Sequence, residues 1–244
     1  MIATGLGYVI LYEVSYMNKS TLLIPLTPTL LQAQSLQALQ RAFAEVCNAL
    51  APTVRDTRCW NRVTLHHLAY RTLRERFPQV GSQMVCNAIY SVSRTCRVIF
   101  QSPSSPLHIQ RLTDKPLPLL QFLPSAPVYF DRHTLSIRYG VLSMYTLDGR
   151  MRFQINLAPQ DEERFANGRL QEIVLRGAGQ QFSLSFSFGD ESAQVAGALP
   201  DEAVWPQYVV LQQDGDASEC LLPEGFPKIL SSQERALTQV GVAL

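Results

Sequence analysis

Two periodicities divide this chain. In the first half apolar residues recur at helical spacing, and in the second half they alternate singly, as strands do when one face meets a core. The run 22–27, LLIPLT, is short and apolar and reads as a strand. Behind it, TPTLLQAQSLQALQRAFAEVCNAL predicts a helix over 29–50. Its inward stripe is Leu31, Leu36, Leu39, Phe43, Val46 and Leu50, and Pro28 suits its start. A second helix is predicted over 60–77, with Val63, Leu68, Leu73 and Phe77 inward. A third spans 82–100, with Ser82 as its N-cap.

The third helix separates two kinds of chemistry. Val85, Ile89, Val92, Cys96 and Ile99 fall on one stripe, and Gln83, Asn87, Tyr90, Arg94 and Arg97 on another. Amide, aromatic and guanidinium groups in one line suit base edges, stacked bases and phosphates. A polar stripe is also what any solvated helix carries, and the pattern alone leaves both readings open.

From 103 to 126 the chain is rich in Pro and Ser and reads as a linker. Alternating segments follow. TLSIRYGVLSMYTLDGRMRFQINL carries an Asp148–Gly149 hairpin signal, with Met151, Phe153, Ile155 and Leu157 on one face and Arg150, Arg152, Gln154 and Asn156 on the other. In LQEIVLRGAGQQFSLSFSF, Phe182, Leu184, Phe186 and Phe188 alternate with serines. The expected fold is α+β: a β-barrel-like or curled sheet, shared with the strand at 22–27, into which three helices are inserted.

Charge sharpens this division. The net charge is only +1, but residues 51–115 hold ten basic and three acidic residues, a net of +7. Residues 190–244 hold two basic and nine acidic ones, a net of −7. A basic segment followed by an acidic tail points to a polyanionic partner for the former. Five scattered cysteines without a C-x-x-C argue against a disulfide framework or zinc ribbon and fit a reducing, cytoplasmic setting. No apolar run reaches the ~18–20 residues of a membrane helix. The first residues lack a basic n-region and a clean cleavage site, so no signal peptide is expected, and Met17 is an alternative start that leaves 1–16 as an extension. His66 and His67 are adjacent, about 100° apart on a helix, and are not placed to share a metal. No Ser–His–Asp or Cys–His arrangement and no Gly-rich phosphate loop is evident; RGAGQQ reads as a hairpin turn. No catalytic residue, metal site or cofactor is expected.

In succession, four segments resemble the N-terminal half of the TnpB family, the transposon-encoded RNA-guided nucleases related to type V CRISPR effectors. They are LLIPLTPTLLQAQSLQALQRAFAEVCNAL, LHHLAYRTLRERFPQVGSQMVCNAIYSVSRTCR, YFDRHTLSIRYGVLSMYTLDGRMRFQI and FANGRLQEIVLRGAGQQFSLSFSF. The likeness covers roughly 20–190 in colinear order and rests on the succession rather than on one motif. It implies a wedge domain made of 1–28 and 127–190, a helical recognition lobe at 29–102, and a linker at 103–126. In that family these parts hold a guide RNA and read a motif flanking the DNA target. The expected partners are therefore guide RNA and double-stranded DNA, at the nucleoid and not at a membrane. The nucleic-acid-binding set is Arg58, Arg62, Arg71, Arg74, Gln83, Asn87, Tyr90, Arg94, Arg97, Arg150 and Arg152.

The family's nuclease is RuvC-like and opens with a Gly–x–Asp–x–Gly strand. Here 191–244 carries YVVLQQDGDASE, a degenerate counterpart without that motif, and ends in a short acidic tail. Two-metal hydrolysis needs several carboxylates converging on ions ~4 Å apart. Asp214, Asp216 and Glu219 lie on what reads as one turn, so nuclease activity is not expected. The alternatives are a split effector whose RuvC part comes from a separate subunit, or a decayed transposon fragment.

Overall fold

The structure, a computed structural model, describes residues 19–113, 115–189 and 206–212. In chain order the elements are β1 (Lys19–Leu26), α1 (Leu30–Thr57), α2 (Arg62–Arg76), α3 (Ser82–Gln101), a 3-10 turn (Ile109–Leu112), β2 (Leu119–Phe122) and β3 (Val128–Phe130). Then come β4 (Leu135–Arg138), β5 (Val141–Thr146), β6 (Gly149–Gln154), α4 (Pro159–Asn167), β7 (Arg169–Ala178), β8 (Gln181–Gly189) and β9 (Val209–Gln212). The described residues form two units, one of 19–39 with 127–189, the other of 40–126 with 206–212. The unit boundary falls inside α1, between Leu39 and Gln40.

The first unit is built on a four-stranded antiparallel sheet in the order β1-β8-β7-β3. The N-terminal strand pairs with β8 as expected, Leu22 opposite Phe186 and Ile24 opposite Leu184. Phe182, Leu184, Phe186 and Phe188 are all buried, and the intervening serines are half-buried. Phe165 of α4 sets its ring edge-on to Phe186 and Phe188, at 5.0 and 5.2 Å. A separate three-stranded sheet, β4-β5-β6, turns Leu135, Leu142, Met144 and Phe153 inward. At the head of α1, Thr29 and Gln32 form a reciprocal cap: the Thr29 N–H donates to Gln32 Oε1 at 2.9 Å, and the Gln32 N–H to Thr29 Oγ1 at 3.3 Å.

The second unit packs the rest of α1 with α2, α3 and a two-stranded sheet, β2-β9. Asn48 joins helix to sheet. Its Oδ1 accepts the Phe122 N–H at 2.6 Å, and its Nδ2 donates to the Phe122 carbonyl at 3.0 Å. Asn61 caps α2 by accepting from the N–H groups of Val63 and Thr64. The thiols of Cys47 and Cys96 are buried, and burial pushes both well above the ordinary thiol range. No helix among the described residues is long and apolar enough to cross a membrane.

Several expectations need correction. The sheets do not close into a barrel; among the described residues there are three separate antiparallel sheets. The first helix runs past 50 and through Pro52 to Thr57, because one proline removes a single intrahelical bond. Its Leu31 is exposed, a first-turn residue ahead of the packed part. The second helix buries Leu65, Ala69 and Leu73, not Val63 and Leu68, which stay 63% and 53% exposed. Ser82 is the first residue of α3 rather than its cap, which is Gly81 without a side-chain bond. The 103–126 stretch is no bare linker: Leu107, Leu112, Leu117, Leu120, Phe122 and Ala126 are buried, and β2 pairs with β9. In the β5–β6 hairpin Thr146 lies opposite Gly149, so Leu147 and Asp148 form the loop, and Gly149, at φ +108°, begins β6. Of the YVVLQQDGDASE segment, Val209–Gln212 is β9; Asp214, Asp216 and Glu219 lie outside the described residues, as does the 1–16 extension.

Candidate nucleic-acid interface

The α2–α3 hairpin contains six arginines and one acid, Glu75, and α3 itself has none. Its geometry follows from how deeply α3 is sunk. Twelve of its twenty residues are buried, so the wet strip is narrow. Val85, Ile89, Val92, Cys96 and Ile99 are all buried, as their spacing implies. Across from them Arg94 and Arg97 are exposed and one turn apart, and Gln83 and Tyr90 are half-buried.

Asn87 departs from the expected stripe. It is only 5% exposed, at the edge of the strip where α3 goes under, and its amide lies 4.0 Å from Met84 Sδ. A base edge cannot reach it there without moving the helix, so it leaves the candidate set. Arg58 and Arg74 have structural work of their own. Arg58, in the left-handed conformation at the end of α1 (φ +52°), donates to the carbonyls of Leu112 at 2.8 Å and Lys115 at 3.0 Å. Arg74 donates to the Val80 carbonyl in the α2–α3 connection. Arg71 is exposed and paired with Glu75 at 3.1 Å, one helical turn away.

Arg62 is placed differently. Its guanidinium lies over the Tyr90 ring, 5.2 Å from the centroid, a cation–π layer between the two helices. Beside it a cleft of about 370 Å³ opens, lined by Arg62, Val63, His66, Gln83, Cys86 and Ile89. His66 is half-buried and stacks on Tyr70 at 4.6 Å and 17°, while His67 is exposed. The histidines thus diverge as neighbours on a helix must. Among the described residues no group of three or more His, Cys, Asp or Glu side chains is placed to hold a metal ion.

Arg150 and Arg152 belong to the first unit, on the wet face of β4-β5-β6. Arg150 lies over the Tyr145 ring at 4.2 Å and donates to Ser143 Oγ and the His133 carbonyl. Arg152 is exposed, across from Ser143. Arg138 and Tyr145 share this face and Tyr139 stands fully exposed beside it, three residues the sequence reading left out. The hairpin register signals Tyr145, since it places that ring opposite Arg150. Another cleft, of about 420 Å³ by α4, has Glu163 in its wall and suits a polyanion less well.

The geometry therefore leaves Arg62, Gln83, Tyr90, Arg94 and Arg97 as one continuous surface, with Arg71 at its side and Arg150 and Arg152 as a separate pair. Compared with known proteins, the chain matches no family model and no curated protein sequence.

Proposed function

We propose that this protein binds nucleic acid through the exposed face of α2 and α3, as a TnpB-like binder that holds a guide RNA or reads a DNA motif and has no nuclease of its own. The observation that carries this reading is the line of Arg94 and Arg97 beside the Arg62–Tyr90 layer, on a helix without a single acid. Guanidinium groups bind phosphates at any sequence, and the adjoining aromatic and amide groups add stacking and base contacts. The succession of segments that resembles the TnpB family, and the pairing of the N-terminal strand with β8 across the helical insertion, support the family reading.

The test is a salt titration. Replacing Arg94 and Arg97 together with Ala should weaken RNA or DNA binding and reduce the slope of log K against log salt by about two. Thermal stability should stay within about 0.5 kcal/mol, because exposed arginines contribute little to folding. Unchanged affinity with an unchanged slope would mean that the strip is an ordinary solvated helix face.

A further inference from the structure

Resting on the nucleic-acid reading above, we infer that the cleft between α2 and α3 receives one unstacked base of a single strand. Its size, about 370 Å³, lies in the ~300–1,000 Å³ range of small-molecule sites. Its walls combine what a base needs. Val63 supplies apolar contact for a ring face, Gln83 an amide for the edge, and Arg62 a cation at the rim, while buried Ile89 only backs the floor. The Arg62 guanidinium is already layered on Tyr90, and a flat ring can add to such a layer as a third plane. No carboxylate lines the cleft, so nothing repels the phosphate that must accompany the base.

Val63 is the telling residue. It is a branched apolar side chain, 63% exposed, at the first turn of a helix whose core face lies elsewhere. As a core position it is wasted; as the lip of this cleft it has a use. A duplex delivers a base here only after unpairing and unstacking it, at a cost of a few kcal/mol, whereas a single strand presents one without that cost. The surface would therefore prefer single strands to duplexes, beyond what phosphate contacts explain.

Cys86 lies in the cleft wall and reports on its occupancy. With Cys59 and Cys220 changed to Ser, and Cys47 and Cys96 buried, N-ethylmaleimide labelling of the full chain reads Cys86. Saturating short homopolymeric RNA or DNA strands should slow labelling about tenfold, within what one stacked base contributes. A duplex of equal length, bound to equal occupancy, should leave the rate unchanged. Val63→Trp, which fills the mouth from the solvent side, should lower single-strand affinity about tenfold. Gln83→Leu should alter the ranking among homopolymers, and comparing RNA with DNA of one base shows whether the sugar is read.

If single strands bind while Cys86 reacts at its free rate, or if duplex protects as well as single strand, the base site is wrong and the surface reading survives. If neither strand nor duplex binds the parent chain, both readings fall together.

Discussion

Asn48→Ala should destabilise the second unit by about 2 kcal/mol, and the number can be built from geometry. In the antiparallel pairing of β2 with β9, the N–H of Leu123 donates to Tyr208 at 2.9 Å. Ladder bonds alternate along an antiparallel strand, so the N–H and C=O of Phe122 point the other way. Asn48 meets both, at 2.6 and 3.0 Å, as a strand backbone would. Two hydrogen bonds at ~1 kcal/mol net each give ~2 kcal/mol. Leaving the Phe122 groups partly dry adds to this, and the better helix propensity of Ala returns at most ~0.7 kcal/mol. At an m-value of ~2 kcal/mol/M the urea midpoint falls by about 1 M. Trp60 is buried in this unit, so its fluorescence in a Trp205→Phe background follows the transition. Asn48→Asp sharpens the test. An ionised carboxylate keeps the acceptor but faces the Phe122 carbonyl, which raises its folded-state pKa. The pairing should therefore recover as pH falls through that raised folded-state pKa, where the acid becomes a donor again, and be complete below the unfolded value of ~3.9. A midpoint for Asn48→Ala equal to the parent's would refute the clamp.

Burial raises the folded pKa of Cys47 and Cys96, so the stability tied to their neutral thiols is present below the unfolded value of ~8.5 and is lost as pH rises above it. Cys96→Val should reduce the steepness of the alkaline loss by about 1.4 kcal/mol per pH unit, measured from urea midpoints between pH 9 and 11. Gly177, at φ +155°, leaves no room for a Cβ beside the Gln181 carbonyl and Phe182 backbone, so Gly177→Ala should cost about 2 kcal/mol or more. Gly179→Asn, at φ +61° in open space, should be nearly neutral in the same melt.

What could be read from the sequence depended on how strongly side-chain chemistry dictates position. The apolar stripe of α3 and the Phe–Ser alternation of β8 were legible because large apolar groups at one period have only one face to bury. Asn87 was misplaced because a helix sunk on most of its circumference takes polar residues under as well. The phase of α2 failed because Ala69 is buried where Leu68 is not; a small residue allows close packing, and size rather than hydropathy chose the face. Residues 103–126 hid their buried leucines because irregular backbone has no period to betray them. α4 was missed although Pro159 at its start and Asp161 and Glu162 in its first turn mark a helix N-terminus. In the candidate interface, exposed Arg94 and Arg97 followed from spacing. The structural duties of Arg58 and Arg74 did not, since carbonyls on distant or irregular backbone leave no sequence signal.

The pairing of β1 with β8 also has a consequence for synthesis. Leu22 must wait for Phe186 to be made, and at ~5–20 residues per second that delay is roughly ten to thirty seconds. The β7–β8 hairpin forms locally and is ready as soon as it emerges, whereas β1 spends the interval as an unpaired apolar strand on the ribosome. Pro25 sits within it, opposite Ser183, and has no N–H to offer a passing strand. Because β1 ends up at the sheet edge, the native ladder needs nothing on its outer side. One proline thus spoils β1 as a template for other nascent chains while leaving it able to close the sheet once β8 arrives.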